Sequence, residues 1–470
     1  MKYKILTFFL IFFLVIGCLF LNAYYQKDLL FVYHQHLEDN SDESKCLGID
    51  DCTHLPIVSI NTNNQAIPGE DHSKVNYIIA DVNIYDGGND VSRLGVDGTS
   101  LKTRLRYRGR SSLEFDKKGY LLKFVDENDK KIDHSFLGMP SDNQWALHGP
   151  FIDKSLIRNY MWYNIGQEIM GGASKVRFFE FYLDDEYQGL YLAVESVTQS
   201  ESSRAKMESI NKDSFATSYL LQLDTDTGNE TTYVNSFSKY AYKINNPIYL
   251  TIKYPEQSEL TADVKDYIYD DFANFEKMLY SFDYKDYKQY IDVDSFVDYF
   301  IINEFTQNYD AGYLSTYIYK DIFGKYKMYL WDFNSANNNY EDNLLIGDQW
   351  FEFQNNLWYE QLIKDPDFVE AIISRYHELR KSYLSDEYLF NYIDETVSYL
   401  GDAVDRNFLV WGYTLEPGYN DFTTNFMPGT HEEAIMQLKQ SIEKRGKWMD
   451  ENIEVLRHYS HESKNKKFNK

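Results

Sequence analysis

The stretch 303–334, NEFTQNYDAGYLSTYIYKDIFGKYKMYLWDFN, constrains the fold of this chain more than any other segment. Two of its runs, 316–320 and 325–331, are rich in the aromatic and β-branched residues that favour strands. The residues between them, 321–324, have the composition of a turn. The pattern therefore predicts a β-hairpin, preceded by the end of a helix and a polar loop.

Asp310 and Asp332 flank this predicted hairpin. A hairpin returns the chain to the level at which it began, so both carboxylates are predicted at its open end. With Asn308 and Asn334 beside them, they could bind a divalent cation, and one carboxylate could act as a base. The alternative is a solvated hairpin whose carboxylates lie in turns.

Positive charge is concentrated in a second stretch, 104–123. Strand periodicity places its four arginines on one face, because residues two apart in a strand share a side. The chain as a whole has 47 Lys and Arg against 73 Asp and Glu, a net charge of −26. In so acidic a chain this concentration indicates phosphate or carboxylate binding, the alternative being ion pairs with local acids. The polar residues of the stretch are Arg104, Arg106, Arg108, Arg110, Ser111, Ser112, Lys117, Lys118 and Lys123.

Two smaller polar clusters each have a structural explanation as well as a functional one. Asp153 is predicted to cap a helix that ends at Gly171, with Arg158 on its solvated face. Glu195 follows an apolar strand, where it could orient a lysine or be exposed.

The overall composition limits the classes of function. A strongly acidic chain lacks the positive footprint that nucleic-acid binding requires, so no nucleic-acid partner is expected. The chain contains no GxxxxGK[ST], GxGxxG, HExxH or GxSxG motif. A hydrolase with a Ser or Cys nucleophile is therefore unsupported.

The N-terminus predicts a membrane anchor. Residues 5–21 are apolar except for Thr7, and Lys2 and Lys4 precede them. This length approaches the roughly 20 residues that span a bilayer, and the positive flank places the rest of the chain outside the cytoplasm. A cleaved signal peptide and lipid attachment at Cys18 are the alternatives to a single-pass anchor.

The predicted organisation is an anchor or signal at 1–25, a polar stalk at 26–54, one α+β domain at 55–457 and a basic tail at 458–470. Cys46 and Cys52 bracket a small loop and could form a disulfide outside the cytosol. No second Cys or His pair lies at the spacing of a zinc site.

Several ordered blocks resemble one family of proteins. They are RYRGRSS at 106–112, KKGYLLKF at 117–124, DKSLIRN at 153–159, FFEFYLDDEYQGLYLAVESV at 178–197 and the stretch 303–334. Together they resemble the CotH kinase family, named for a bacterial spore-coat protein. The resemblance extends from about residue 55 to the last predicted helix.

The resemblance implies an atypical protein-kinase-like fold that uses ATP and Mg²⁺ or Mn²⁺. It gives Asp310 the catalytic-loop role and makes Asp332 a metal ligand, together with Asn334 and Asn308. The phosphates of ATP would contact basic and hydroxyl groups, and Glu195 would orient one of the lysines. The implied phosphate contacts are Arg108, Ser111, Lys118 and Lys123.

Two positions depart from the family pattern. Asn334 replaces the last acid of a WDFD-like segment, and Arg110 replaces the asparagine of an RGNS-like turn. The resulting hypothesis is an extracytoplasmic kinase that phosphorylates Ser, Thr or Tyr of surface or secreted proteins. The alternatives are a noncatalytic envelope scaffold or adhesin, and a kinase that acts on an envelope glycan.

Overall fold

The structure is a computed structural model of the 470-residue chain. It describes residues 34–38, 43–46, 51–69, 76–88, 90–211, 214–225, 232–237, 248–339, 350–416, 419 and 428–460.

The described part of the chain mixes strands and helices, which confirms the α+β prediction. The strands are β1 (Cys52–Thr53), β2 (Ile57–Asn61), β3 (Ile78–Tyr85), β4 (Ser92–Arg93), β5 (Thr99–Arg108), β6 (Gly119–Val125), β7 (His134–Phe136), β8 (Met139–Asp142), β9 (Gln144–His148), β10 (Val176–Leu183), β11 (Glu186–Glu195), β12 (Tyr219–Thr225), β13 (Tyr233–Val234), β14 (Ile248–Tyr254), β15 (Thr316–Lys320) and β16 (Tyr326–Tyr329). The α-helices are α1 (Arg158–Met170), α2 (Ala262–Leu279), α3 (Val293–Thr306), α4 (Tyr359–Leu362), α5 (Pro366–Leu379), α6 (Asp386–Leu400), α7 (Asp402–Trp411) and α8 (His431–Asn452).

Seven strands close into a barrel in the order β10-β11-β9-β6-β5-β3-β2. Its interior is filled by alternate residues of each strand, such as Val82 and Leu105, both fully buried. The alternation leaves Arg104, Arg106 and Arg108 of β5 partly exposed. The barrel thus presents these arginines on its outer surface.

A second sheet has the strand order β13-β14-β12-β15-β16. Leu221 and Leu223 of β12 are buried in a large core that also contains the apolar faces of α2 and α3. In the antiparallel register Gln222 lies opposite Thr251 and Asp224 opposite Tyr249, while Lys253 falls at the β-bulge where the register shifts. The end of β5 meets the open end of the β15–β16 hairpin, because the Arg108 guanidinium lies 4.8 Å from the centre of the Trp331 ring. The region between them is called the cleft below.

The hairpin and helix predictions agree with the structure, with adjusted boundaries. Tyr317 pairs with Tyr329 across the predicted hairpin, and the second strand ends at Tyr329 rather than at residue 331. Helix α1 ends at Gly171, which has φ 70° as expected of a C-cap.

The prediction for the start of α1 is confirmed only in part, because Asp153 accepts from the Arg158 N–H at 2.9 Å but is not the N-cap residue. The helix begins at Arg158 with Ile157 as its N-cap, and Asp153 lies before it. Arg158 is also not on a solvated face: it is 3% exposed and pairs with Asp153, which is 2% exposed. The pair is buried because the loop before α1 packs beneath residues that follow the hairpin, where the Arg158 Nε donates to the Ala336 carbonyl at 3.0 Å.

Part of the predicted stalk packs against the domain. The Gln35 side chain is 1% exposed and bonds to both backbone groups of Phe178, accepting from the N–H at 2.7 Å and donating to the carbonyl at 3.2 Å. Cys46 and Cys52 form a disulfide, and β1 pairs with β4. The predicted anchor at 5–21 and most of the basic tail lie outside the described residues. Within the residues that the structure describes, no helix is long and apolar enough to cross a bilayer.

His36 should make the stability of this protein sensitive to acid. Its side chain is 1% exposed, and burial lowers its pKa to about 4 from 6.5, with a smaller effect from His34. Because the unfolded chain then binds a proton that the folded chain excludes, stability is lost as the pH falls from about 6.5 toward 4.

Between pH 7.5 and pH 4.5, we expect the free energy of unfolding to fall by about 2 kcal/mol less in His36→Gln than in the wild-type protein. Urea unfolding at several pH values measures this difference. Parallel pH profiles for the two proteins would contradict the assignment.

Candidate active site

The hairpin brings Asp310 and Asp332 together, as predicted from its geometry. Both side chains are partly exposed. Burial raises the pKa of the Asp310 carboxyl to about 7, with further contributions from the charges of Asp332 and Asp224. These carboxylates are thus electrostatic neighbours, and Asp310 is poised to take a proton near neutral pH.

The position of Asp332 is set by four contacts. Its backbone has φ 61°, a left-handed conformation that persists only where surrounding contacts hold it. Its N–H donates to the Tyr163 hydroxyl at 2.9 Å, and its carbonyl accepts from Asn308 Nδ2 at 2.9 Å. Its carboxylate accepts from the Asn334 N–H at 3.3 Å, and the Ser315 hydroxyl lies 3.5 Å away. Burial raises the pKa of Asp332, and the Asn334 N–H and Arg108 oppose that effect.

Asn308 supplies an oxygen suited to a cation. Its amide nitrogen donates to the Asp332 carbonyl and to Asn303 Oδ1. Its Oδ1 is buried and has no hydrogen-bond partner, although buried acceptors are almost always satisfied. An unsatisfied amide oxygen on the side chain that contacts the Asp332 backbone fits Mg²⁺ or Mn²⁺, which prefer oxygen ligands.

Asn334 is engaged differently. Its Oδ1 accepts from Asn159 Nδ2 at 2.9 Å, and the same nitrogen lies 3.1 Å from His148 Nε2. The Asn159 Oδ1 accepts from the Phe333 N–H at 2.7 Å. The oxygen of Asn334 that the family resemblance assigns to a cation therefore already has a protein partner.

The acidic groups do not form a metal cage by themselves. Within the described ranges, no three His, Cys, Asp or Glu side chains are arranged to hold an ion. Mg²⁺ typically needs only one or two carboxylates when substrate phosphates complete its shell. Asp332 and Asn308 fit that kind of site.

The arginines of the basic stretch separate into two groups. Arg104 forms a bidentate pair with Asp129, at 2.7 and 2.8 Å, so the ion-pair alternative holds for this residue. Arg106 lies over the Tyr77 ring and Arg108 over the Trp331 ring. Arg110 lies beyond the end of β5. Burial raises the pKa of Asp224, and the charge of Arg110 opposes that effect. The latter three are available to an anion in the cleft.

A tight turn shapes the loop between β5 and β6. Gly109 has φ 132°, and a Cβ added there would collide with the Ser112 hydroxyl. Ser111 begins a short 3₁₀ turn and is exposed. Lys118 donates from Nζ to the Leu113 carbonyl at 2.5 Å and so closes the loop on itself.

Gly109→Ala should distort this turn. The added methyl group meets both a forbidden φ and the Ser112 hydroxyl, so we expect a loss of about 1–3 kcal/mol in the free energy of unfolding. Gly138→Ala is the matched control, because Gly138 has φ 73° but no atom within 4 Å of an added Cβ. Urea unfolding of both variants measures the difference, and equal losses would show that the Ser112 contact does not matter.

A comparison with protein-family models tests the family resemblance of the sequence blocks. A protein-family model described as CotH kinase protein matches residues 105–449. The chain belongs to the CotH kinase family. The match confirms the resemblance seen in the sequence and includes Asp310 and Asp332. No curated protein matches the chain.

In the structure of this CotH family member, Glu195 contacts neither Lys118 nor Lys123, the lysines that the resemblance assigns to the phosphates. The Glu195 carboxylate is 1% exposed and lies 3.2 Å from Lys175 Nζ. It also accepts from the Lys175 N–H at 3.0 Å and the Arg204 N–H at 3.1 Å. The expectation that Glu195 orients Lys118 or Lys123 was therefore wrong, because β11 ends where Lys175 precedes β10.

Lys123 remains near the cleft, whereas Lys117 does not. Lys123 Nζ lies 5.8 Å from the centre of the Tyr77 ring, and the side chain is partly exposed. Lys117 is 1% exposed and donates to the Leu190 carbonyl and to Asn407 Oδ1, each at 2.7 Å.

Sequence reasoning missed three groups around the cleft. Asp224 is the second-to-last residue of β12 and Lys253 lies on β14, and neither belongs to a block that resembles the family. Ser315 follows Asp310 by five residues, the spacing at which protein kinases place a metal-binding asparagine. One available signal was the position of Asp224 directly after a run of apolar strand residues, as for Glu195 and Asp332.

Proposed function

We propose that this CotH kinase family member is an ATP-dependent protein kinase acting outside the cytoplasm. It transfers the γ-phosphoryl group of ATP to a Ser, Thr or Tyr hydroxyl of a surface or secreted protein. The observation that carries the proposal is Asp310, with its pKa near 7, beside Asp332 at the arginine-lined cleft. In the proposed atypical kinase fold, the barrel and the second sheet form the two walls around ATP.

The chemistry needs positioning and charge more than covalent help. Asp310 orients the acceptor hydroxyl and takes its proton as the new oxygen–phosphorus bond forms. The bond between the γ-phosphorus and the β–γ bridging oxygen breaks, and ADP leaves with that electron pair. Arg108 and Arg110 stabilise the negative charge on the phosphates. A Mg²⁺ or Mn²⁺ ion held by Asp332 and Asn308 would supply further charge neutralisation.

Two features support an extracytoplasmic location. The disulfide between Cys46 and Cys52 is typical of an oxidising compartment. The apolar run at 5–21, with its positive flank, fits a single-pass membrane anchor, or a lipoprotein attached through Cys18. The domain would then meet surface or secreted proteins.

A noncatalytic envelope scaffold or adhesin is the second candidate. Asn334 replaces a family acid and is hydrogen-bonded within the protein, while Ser315 stands where protein kinases carry an asparagine. Both changes remove potential metal ligands. A protein that kept the fold for binding alone would tolerate them.

Phosphate incorporation from labelled ATP tests the proposal. The full-length chain is incubated with Mg²⁺ or Mn²⁺ and with protein or polysaccharide acceptors, which separates a protein kinase from a glycan kinase. We expect Asp310→Asn to lower the rate by at least about a hundredfold. ATP binding without transfer to any acceptor would favour the scaffold.

A further inference from the structure

Residues 34–38, here called the strap, precede the α+β domain and lie against three of its elements. The Gln35 side chain bonds to both backbone groups of Phe178 on β10, ahead of the stretch of β10, Glu180–Leu183, that pairs with β2. The Glu38 carboxylate lies 2.5 Å from the Arg177 guanidinium of the same strand. These contacts attach the strap to the edge of the barrel.

The middle of the strap contacts aromatic residues of α1 and α6. The Tyr160 hydroxyl of α1 accepts from the His36 N–H at 3.1 Å and lies 2.9 Å from His36 Nδ1. The Tyr392 hydroxyl of α6 lies 3.0 Å from His34 Nδ1. Tyr160 also packs on the Phe178 ring, with the ring centres 4.4 Å apart. The strap therefore fixes Tyr160 directly through His36 and indirectly through the residue that Gln35 binds.

Helix α1 connects the strap to Asp332. Asn159 precedes Tyr160 in this helix, and Tyr163 lies about one turn further along. The Asn159 Oδ1 accepts from the Phe333 N–H at 2.7 Å, and the Tyr163 hydroxyl accepts from the Asp332 N–H at 2.9 Å. Both bonds hold the backbone at the left-handed residue Asp332, which needs such contacts. A displacement of α1 would therefore disturb the proposed metal-binding carboxylate.

The two histidines make docking of the strap sensitive to acid. The His36 side chain is 1% exposed, so a proton there places a cation in a desolvated aromatic site. Burial is also the largest cause of the lowered pKa of His34, and the Arg204 charge lowers it further. Glu168 of α1 lies 3.2 Å from His34, and Glu395 of α6 lies 3.9 Å from His36. These acids are 34% and 59% exposed, so they offset only part of the cost of a proton.

We propose that docking of the strap keeps the candidate active site ordered through α1, and that acid releases the strap. In the docked state Tyr160 is fixed, and its neighbours in α1 hold the backbone of residues 332–333. In the released state α1 loses its bonds to His36, and Phe178 loses those to Gln35. The consequence for phosphoryl transfer rests on the proposed function, whereas the coupling of the strap to residues 332–334 does not.

Hydrogen–deuterium exchange of the full-length chain tests the coupling without nucleotide or catalysis. Gln35→Ala removes both bonds to Phe178. We therefore expect the amides of α1 and of residues 332–334 to lose about tenfold in protection at pH 7.5. The amides of β5 and β6 should keep their wild-type protection, which separates a local release from a general loss of stability.

Gln65→Ala is the matched control. The Gln65 side chain also bonds to two backbone groups, the carbonyls of Thr62 and Ile79, but it is not part of the strap. This variant should exchange like the wild-type protein at residues 332–334. Unchanged protection of these residues in Gln35→Ala, or an equal loss in β5 and β6, would overturn the proposal.

Acid should produce the same change in the wild-type protein. Between pH 7.5 and pH 4.5, after correction for the intrinsic pH dependence of exchange, we expect α1 and residues 332–334 to lose about tenfold in protection. His36→Gln keeps a side chain that can bond to the Tyr160 hydroxyl but cannot become charged, so it should lose less. Equal losses in the two proteins would show that His36 does not release the strap.

The failures of the two proposals are distinguishable. If Gln35→Ala lowers the protection of residues 332–334 but the wild-type protein transfers phosphate to no acceptor, the coupling stands and the kinase proposal fails. If Gln35→Ala transfers phosphate at the wild-type rate and residues 332–334 keep their protection, the strap does not control the site, and the kinase proposal is unaffected.

Discussion

Replacing Asp332 by asparagine is expected to lower the rate of phosphoryl transfer by about a thousandfold. The substitution removes the negative charge at the point where the proposed cation and the phosphates meet. It should leave the fold intact, because asparagine tolerates the left-handed conformation at φ 61°. The backbone bonds to Tyr163 and Asn308 do not involve the side chain. Initial rates with labelled ATP measure the effect, and urea unfolding checks the fold.

Asp321→Asn is the matched control for this experiment. Asp321 lies in the turn at the opposite end of the same hairpin, where it accepts from the Glu208 N–H at 2.8 Å. We expect its rate to stay close to that of the wild-type protein. Equal rates for the Asp332 and Asp321 variants would show that the open end of the hairpin is not the catalytic centre.

Arg158→Met is expected to destabilise the fold by about 3–5 kcal/mol, because it leaves the buried Asp153 carboxylate without its counter-charge. Burial has the largest single effect on the Asp153 pKa and raises it, but the Arg158 charge and the hydrogen bonds from Ser155 and Arg158 together hold the pKa below its usual range. The substitution also removes the bond to the Ala336 carbonyl. Urea unfolding at neutral pH measures the loss.

The control is Arg104→Met, which breaks the partly exposed pair with Asp129. The Arg104 and Asp129 side chains are 29% and 53% exposed, so solvent screens their interaction. The loss in the free energy of unfolding should therefore stay below about 1 kcal/mol. If the two arginine variants lost similar stability, burial would not be what distinguishes the pairs.

The local elements of the fold could be predicted from sequence because their causes are local. Aromatic and β-branched runs around a turn produce β15 and β16. Thr430 caps α8 by accepting from the Glu433 N–H at 3.2 Å, as the spacing of a capping box suggests. The meeting of Asp310 and Asp332 follows from hairpin geometry alone. Family blocks then gave these carboxylates distinct expected roles.

Partnerships between distant segments could not be predicted in the same way. Glu195 meets Lys175 because of how β10 and β11 enter the barrel, and Arg158 is buried by residues almost two hundred positions away. Both looked like surface or ligand-binding groups when only neighbouring residues were considered. Sequence spacing does not show which basic side chain a carboxylate pairs with in the folded protein.

The sequence by itself determined the α+β class, the family, the hairpin and the two carboxylates at its open end. The tertiary structure alone decided that Asn308 keeps an unsatisfied oxygen, that Asn334 is bonded to Asn159, and that Arg108 lies over the Trp331 ring. The physical reason is the separation of the interacting residues along the sequence. Hairpins and turns depend on residues that are close along the chain. The charge, burial and hydrogen bonding of a cleft depend on which sheet packs against which.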